Sequence, residues 1–160
     1  MESRARALIE SLRLAPHPEG GYFAELHRST QRVVPDDGRD ARSALSVIYF
    51  LLPAGGHSRW HVVRSDEQWT HLEGGAVELF VRDEAGTART IRLGPLADGA
   101  TPTAVVPAGA WQAARATATF ALVCCTVGPG FEFADFRLLS DDADAVHAIR
   151  AALPHLAALL

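Results

Sequence analysis

With 160 residues, 48% of them hydrophobic and 21% charged, the chain is long enough for one globular domain with a substantial core. Its net charge of −4 argues against a nucleic-acid partner, which usually needs a basic face. No stretch reaches the roughly 18 continuous apolar residues of a membrane span, and the first residues lack the apolar core of a signal peptide. We therefore expect one cytoplasmic domain over residues 1–160, with no nucleic-acid or membrane partner.

The N-terminal part is predicted to hold a short helix and then an extended segment. Apolar residues recur at helical spacing within residues 4–13, and Pro16 ends the helix. The pair Gly20-Gly21 lacks the Lys and the following helix of a phosphate loop, so we interpret it as a flexible entry to a strand that ends near Arg28. Residues 31–42 are polar and predicted to form a loop.

From residue 44 onward the pattern changes to short apolar runs separated by Gly and Pro. The segments predicted as strands are 46–52, 60–63, 68–72, 77–81, 90–93, 103–106, 111–115, 120–127 and 132–139. Many short strands at this spacing are typical of an all-β sandwich or barrel. Beyond them, the polar cluster 140–142 is a good N-cap for a C-terminal helix, which Pro154 interrupts.

Residues 55–74 carry a pattern of glycine, histidine and acid. Five residues separate Gly55 from His61, and six separate Glu67 from Gly74. These offsets resemble the first cupin motif, in which a second histidine stands where this chain has Val63. The second cupin motif, Pro-x-Gly-x-x-His, resembles residues 107–112 with glutamine in place of the histidine.

The spacing places these residues on one interior wall. Residues two apart on a strand share a face, so His61 and Val63 point the same way, and a turn lets Glu67 begin the next strand beside them. Gln112 comes from a distant strand, and inward-facing positions converge when a small barrel closes. A few polar groups in an apolar cavity are the usual form of a ligand site. The residues predicted to surround this site as ligand-binding groups are Gln112, Trp69, His71, Tyr22 and His57.

Longer strings extend the similarity to a particular family. They are HPEGGYF at 17–23, IYFLL at 48–52, SRWHVVRSDEQW at 58–69, VPAGAWQAA at 106–114 and CTVGPGFEFADF at 125–136. Over roughly residues 7–158 the chain resembles the cupin 5 family of the RmlC-like cupin superfamily. The resemblance implies a jelly-roll barrel, or double-stranded β-helix, with its core at about residues 20–140, and a homodimer. One departure is Thr70, where members of the family often carry a histidine.

The candidate chemistry depends on His61 and Glu67. A histidine titrates near neutral pH, and a buried carboxyl can orient it or share its proton, so the two are predicted to be catalytic. As in the RmlC-type epimerases that the chain resembles, they would move a proton on a small polar metabolite without a metal, in an epimerase, isomerase or lyase reaction. A non-catalytic ligand-binding protein is the alternative, and a metal-dependent enzyme is a third.

Metal binding is disfavoured by the ligand count. Cupins typically hold Fe, Mn, Zn or Ni with three histidines and one glutamate, and here only His61 and Glu67 have those identities. Two good ligands are fewer than transition-metal sites normally use. We therefore predict no cofactor. A divalent metal, if one binds, would use His61, Glu67 and Gln112.

Overall fold

Two antiparallel β-sheets face each other in the computed structural model, which describes residues 3–160. Strands are numbered in chain order. The first sheet has the spatial order β1 (Ala15–Pro16), β2 (Tyr22–Arg28), β5 (Ser46–Pro53), β12 (Phe120–Gly128), β7 (Asp66–Gly74) and β10 (Thr103–Val106). The second has the order β13 (Phe136–Leu138), β6 (His57–Val63), β11 (Trp111–Ala116), β8 (Val77–Arg82) and β9 (Ala88–Leu93). A small separate hairpin joins β3 (Arg32–Val33) and β4 (Arg42–Ser43).

Strands that follow one another in sequence mostly alternate between the sheets. β5, β7, β10 and β12 belong to the first sheet, whereas β6, β8, β11 and β13 belong to the second. This alternation is the winding of a double-stranded β-helix. The predicted all-β jelly-roll class is therefore confirmed, with short helices at both ends.

The core lies where the inner faces of the two sheets meet. Large side chains from both sheets are almost fully buried there, among them Phe50, Leu52, Trp69, Leu79 and Val123. Each such side chain contributes roughly 1.5–3 kcal/mol by leaving water. Alternation along each strand sends these residues inward and leaves the other half of each strand for the outer faces.

The terminal helices cover outer faces of the sheets. Helix α1 (Ser3–Ser11) buries Ala5 and Leu8 in a cluster with Leu51 of β5. Helix α2 (Ala143–Ala152) begins after Asp142, whose carboxylate accepts the Ala145 backbone N–H at 3.0 Å. Together with the 3₁₀ turns of Pro154–Leu159, helix α2 packs on two aromatic side chains of the second sheet, Trp60 and Phe80. No helix in the described part of the chain is both long and apolar enough to cross a membrane.

The prediction of a strand over residues 132–139 is wrong for the first half of that range. Phe133–Asp135 forms a 3₁₀ turn, and only β13 pairs with β6. The Asp135 backbone N–H donates to the Glu132 carbonyl at 2.9 Å, which closes a turn in place of the predicted strand pairing. The other predicted strands lie within about three residues of the observed bounds.

Candidate functional site

A cavity of about 120 Å³ opens between the sheets. Its walls are largely aromatic and aliphatic, with Phe23 and Phe50 on one side and Phe131 and Phe133 at another. Its polar lining includes His17, Glu19, His61 and Glu67, and it also includes the charged side chains of Glu25, Arg28 and Glu132. An apolar enclosure with a few converging polar groups is the common form of a small-molecule site.

The loop over residues 17–21 brings His17 and Glu19 to this cavity. Gly20 has φ +113°, and a Cβ there would lie 2.3 Å from the His57 backbone oxygen. The loop therefore packs directly on β6 because glycine has no side chain and tolerates positive φ. The Arg59 backbone N–H donates to the Glu19 carbonyl at 2.8 Å, which fixes the loop further. As interpreted from the sequence, Gly20-Gly21 leads into a strand, β2, and the loop before that strand also packs closely on β6.

His61 lies on β6 with its imidazole at the cavity and is 2% exposed. Its Nδ1 is 2.8 Å from the Arg59 carbonyl oxygen. A carbonyl only accepts, so Nδ1 carries the proton in that hydrogen bond and the neutral ring leaves Nε2 as a base. That Nε2 is 3.4 Å from Glu19 Oε2. Burial lowers the pKa of His61, so the neutral form is favoured.

Glu19 is a buried acid that faces this base. Burial raises the pKa of Glu19 to about 8, with a smaller opposing effect from the Ser58 hydroxyl, which donates to Glu19 Oε1 at 2.9 Å. At neutral pH the Glu19 carboxyl therefore keeps its proton, while the His61 ring is neutral and its Nε2 carries no proton. An acid and a base that line the same cavity can exchange protons with a molecule bound there, as the paired groups of acid–base catalytic sites do.

Glu67 begins a chain of buried hydrogen bonds. The Gln112 side-chain amide donates to Glu67 Oε2 at 2.7 Å, and the Trp69 indole N–H donates to Gln112 Oε1 at 3.0 Å. Burial raises the pKa of Glu67, opposed by the nearby His61. Gln112 and Trp69 are not part of the cavity lining, and they contact the site through Glu67.

His17 is held as a neutral ring among aromatic side chains. The Glu19 backbone N–H donates to His17 Nδ1 at 3.3 Å, so that nitrogen is an acceptor. Burial, with a contribution from His61, lowers the pKa of His17 to about 4. Its ring meets the edge of Phe23 with a centroid separation of 4.6 Å.

A buried ion cluster fixes the aromatic segment at the mouth. Asp135 accepts from Arg39 Nη1 at 3.0 Å and from Arg42 Nε at 2.7 Å, and Arg39 also donates to Ser65. The Asp135 and Arg39 side chains are only 2% and 4% exposed. The cluster joins the loop over residues 31–42 to the 3₁₀ turn that carries Phe133 into the cavity wall.

The other three predicted ligand-binding residues, like Gln112 and Trp69, are not part of the cavity lining. The Tyr22 side chain packs in the cluster beneath α1. His57 stands at the start of β6, paired with Arg115, and His71 Nε2 is 3.1 Å from the Gly75 carbonyl oxygen. His61 and Glu67 do line the cavity, whereas His17 and Glu19 were not predicted from the sequence.

The donors at the cupin motif positions do not fit the metal set that the resemblance implies. Val63 offers only hydrocarbon, and both ends of the Gln112 amide are already engaged by Glu67 and Trp69. Across residues 3–160, no three side chains of His, Cys, Asp or Glu are grouped so that they could hold a metal ion.

Comparison with solved structures places the fold among known ones. A hypothetical protein from Leishmania major matches with a TM-score of 0.82 and 29% identity, covering 97% of this chain and 95% of that one. A protein from Shewanella oneidensis matches with a TM-score of 0.81 and 34% identity, covering 99% and 95%. A mutant of oxalate decarboxylase from Bacillus subtilis matches with a TM-score of 0.58 and 15% identity, covering 87% of this chain and 34% of that one, which is a likeness of fold alone.

The sequence itself matches a family model. No curated protein sequence matches the chain. The model described as Cupin superfamily (DUF985) matches residues 6–139, which include both cupin motifs and the cavity-lining loop. On this match, and on the fold and motif positions above, the chain belongs to the DUF985 family of the cupin superfamily.

Proposed function

We propose that the cavity binds a small molecule and that His61 and Glu19 transfer a proton on it, in a metal-independent epimerase, isomerase or lyase reaction. The observation that carries this proposal is the 3.4 Å separation between His61 Nε2 and Glu19 Oε2 at the cavity. One group is a base with a lowered pKa and the other an acid with a raised one. Such opposite shifts in neighbouring groups mark acid and base assignments in known active sites.

The proposed step is a balanced exchange of protons. His61 Nε2 removes a proton from a carbon next to a carbonyl group while the protonated Glu19 donates its proton to the carbonyl oxygen, which leaves an enol, a charged imidazole and a carboxylate. In isomerisation of an α-hydroxy carbonyl compound, His61 returns its proton to the former carbonyl carbon and Glu19 takes the proton of the other hydroxyl group. In epimerisation, a proton from water enters the opposite face of the first carbon, Glu19 takes back the enol proton, and His61 releases its proton to water. Glu67 acts as a positioning residue in this scheme, because it lies near His61 and is itself held by Gln112.

Deuterium incorporation tests the proposal. A metabolite that co-purifies with the protein is identified by mass spectrometry and incubated with the protein in D₂O, and carbon-bound deuterium is followed by NMR. We expect His61→Gln and Glu19→Gln to slow incorporation by roughly 100-fold or more, with ligand affinity changed only a few-fold. The matched control is His147→Gln, at an exposed position on α2.

The same experiment addresses a non-catalytic role. Tight binding by the unmodified protein without any deuterium incorporation would contradict proton transfer and support a ligand-binding protein. Unchanged incorporation in both the His61 and the Glu19 variants would remove these residues from the chemistry.

A further inference from the structure

The cavity is lined by more acids than bases. Its four carboxyl groups belong to Glu19, Glu25, Glu67 and Glu132. As far as residues 3–160 define the lining, it contains one guanidinium group, that of Arg28. Glu25 Oε2 lies 2.8 Å from an Arg28 nitrogen and Glu132 Oε1 lies 3.3 Å from another. The Arg28 charge is therefore already matched by two carboxylates at the mouth.

The two histidines do not reverse this balance. Burial lowers the pKa of both His17 and His61, so both rings are neutral near pH 7. A ligand carboxylate or phosphate would meet acidic groups and neutral imidazoles inside the cavity. An anion would therefore lose its hydration without gaining an opposite charge.

The aromatic walls favour the opposite charge. Phe23, Phe50, Phe131 and Phe133 all line the cavity, and the Phe131 and Phe133 rings meet edge to face with centroids 5.1 Å apart. The face of an aromatic ring attracts a cation, and the attraction strengthens in a desolvated site. The same rings also pack against hydrocarbon, so they suit a molecule that has both a positive charge and a hydrocarbon part.

Glu67 is the carboxyl best prepared to meet a cation. It is 7% exposed, lines the cavity and accepts a hydrogen bond from the Gln112 amide, which favours its ionised form. The groups that face Glu67 are His61 of β6, Glu19 of the loop over residues 17–21 and Cys125 of β12. Burial raises the pKa of Glu67, and a cation bound beside its carboxylate would offset that cost by pairing the buried charge.

We propose that the ligand is a small organic cation, an amine or ammonium compound, whose nitrogen binds Glu67 and whose hydrocarbon part contacts the phenylalanine rings. The inference rests on the proposed function, because it names the class of molecule for the same cavity. Glu19 keeps its proton in this arrangement and remains the acid beside His61.

Two matched ligand series separate charge from shape. The first is isobutylamine, isobutanol and isobutyrate, and the second is benzylamine, benzyl alcohol and benzoate. Affinities are measured at pH 7 by isothermal titration calorimetry. We expect each amine to bind at least about tenfold more tightly than its alcohol, with the carboxylate weakest. In Glu67→Gln the amine and the alcohol should bind within about threefold of each other, whereas the exposed control Glu73→Gln should keep the preference.

The comparison of amine, alcohol and carboxylate on the unmodified protein is itself a readout, should Glu67→Gln fail to fold. A carboxylate or an alcohol that binds as tightly as its amine would overturn the inference. Binding of the alcohols or carboxylates without the amines would refute only the charge assignment. No binding by either series would count against both the inference and the small-molecule site. A loss of deuterium incorporation while amines still bind would bear only on the proposed proton transfer and not on the class of ligand.

Discussion

Glu19→Gln should change how stability depends on pH. The Glu19 carboxyl is 6% exposed, and its pKa of about 8 compares with an ordinary value of 4.5. Between these values the folded protein keeps a proton that the unfolded chain has lost. Stability that is fully present below pH 4.5 is therefore lost progressively as the pH rises through about 8, at about 1.4 kcal/mol per pH unit.

The window from pH 6.5 to 8 isolates this contribution best. His17 has the opposite shift, since its pKa falls from 6.5 to about 4, and the stability it contributes is fully present above 6.5 and lost as the pH falls through 4. Above pH 6.5 His17 adds no slope. Over this window the unmodified protein should lose about 2 kcal/mol more than Glu19→Gln, whose amide does not titrate.

Urea denaturation followed by tryptophan fluorescence at four pH values measures this difference. The glutamine keeps an oxygen that can accept from the Ser58 hydroxyl, so the substitution removes the ionisable group with little change in shape. Glu73→Gln, at an exposed ion pair, serves as the control and should follow the unmodified protein. Parallel stability curves for the Glu19 variant and the unmodified protein would refute the assignment of a raised Glu19 pKa.

Three further substitutions or probes test the fold around the site. Gly20→Ala should destabilise the protein by about 3 kcal/mol in urea denaturation, because the added Cβ would meet a backbone oxygen. The control Gly38→Ala, with open space around it, should cost only about 1 kcal/mol. Equal losses in the two variants would contradict the close packing of the loop. Asp135→Asn should cost about 3 kcal/mol in the same assay, because it removes the carboxylate that pairs with Arg42 and leaves Arg39 with Asp37 alone. A loss below about 1 kcal/mol would argue against a buried cluster. Burial raises the pKa of the Cys124 and Cys125 thiols. In the folded protein a disulfide reagent should therefore react slowly with Cys124, and with Cys125 only after unfolding. Rapid reaction of both thiols in the folded protein would contradict the observed burial.

The sequence was most informative where residues repeat at a fixed period. Alternation and glycine punctuation located most strands of the two sheets, because inward and outward positions differ in polarity. The 3₁₀ turn at Phe133–Asp135 escaped this reasoning, since its cause is a local hydrogen bond and a pair of arginines nearly a hundred residues away. A period-two pattern cannot reveal a partner at that distance.

The candidate site was predictable only for residues on the motif strands. Alternation says which face of a strand a side chain occupies but not how far along the barrel it lies. His71 shares a face with Glu67, yet four residues of strand separate them by about 13 Å, which takes His71 beyond the cavity lining. Glu19 comes from a loop whose position depends on packing against β6. Two consecutive glycines beside an acid were the available signal for such close backbone contact.

The backbone of Arg59 connects the loop to the strand at this site. Its N–H donates to the Glu19 carbonyl and its carbonyl accepts from His61 Nδ1, both at 2.8 Å. One residue of β6 therefore sets both the position of the acid and the proton-bearing nitrogen of the base. The Ser58 hydroxyl, which donates to Glu19 Oε1 at 2.9 Å, then orients the carboxyl whose other oxygen lies 3.4 Å from His61 Nε2. Val63 and Gln112 stand at two histidine positions of the cupin pattern, and in this chain a carboxyl from the loop, that of Glu19, lies 3.4 Å from His61 Nε2.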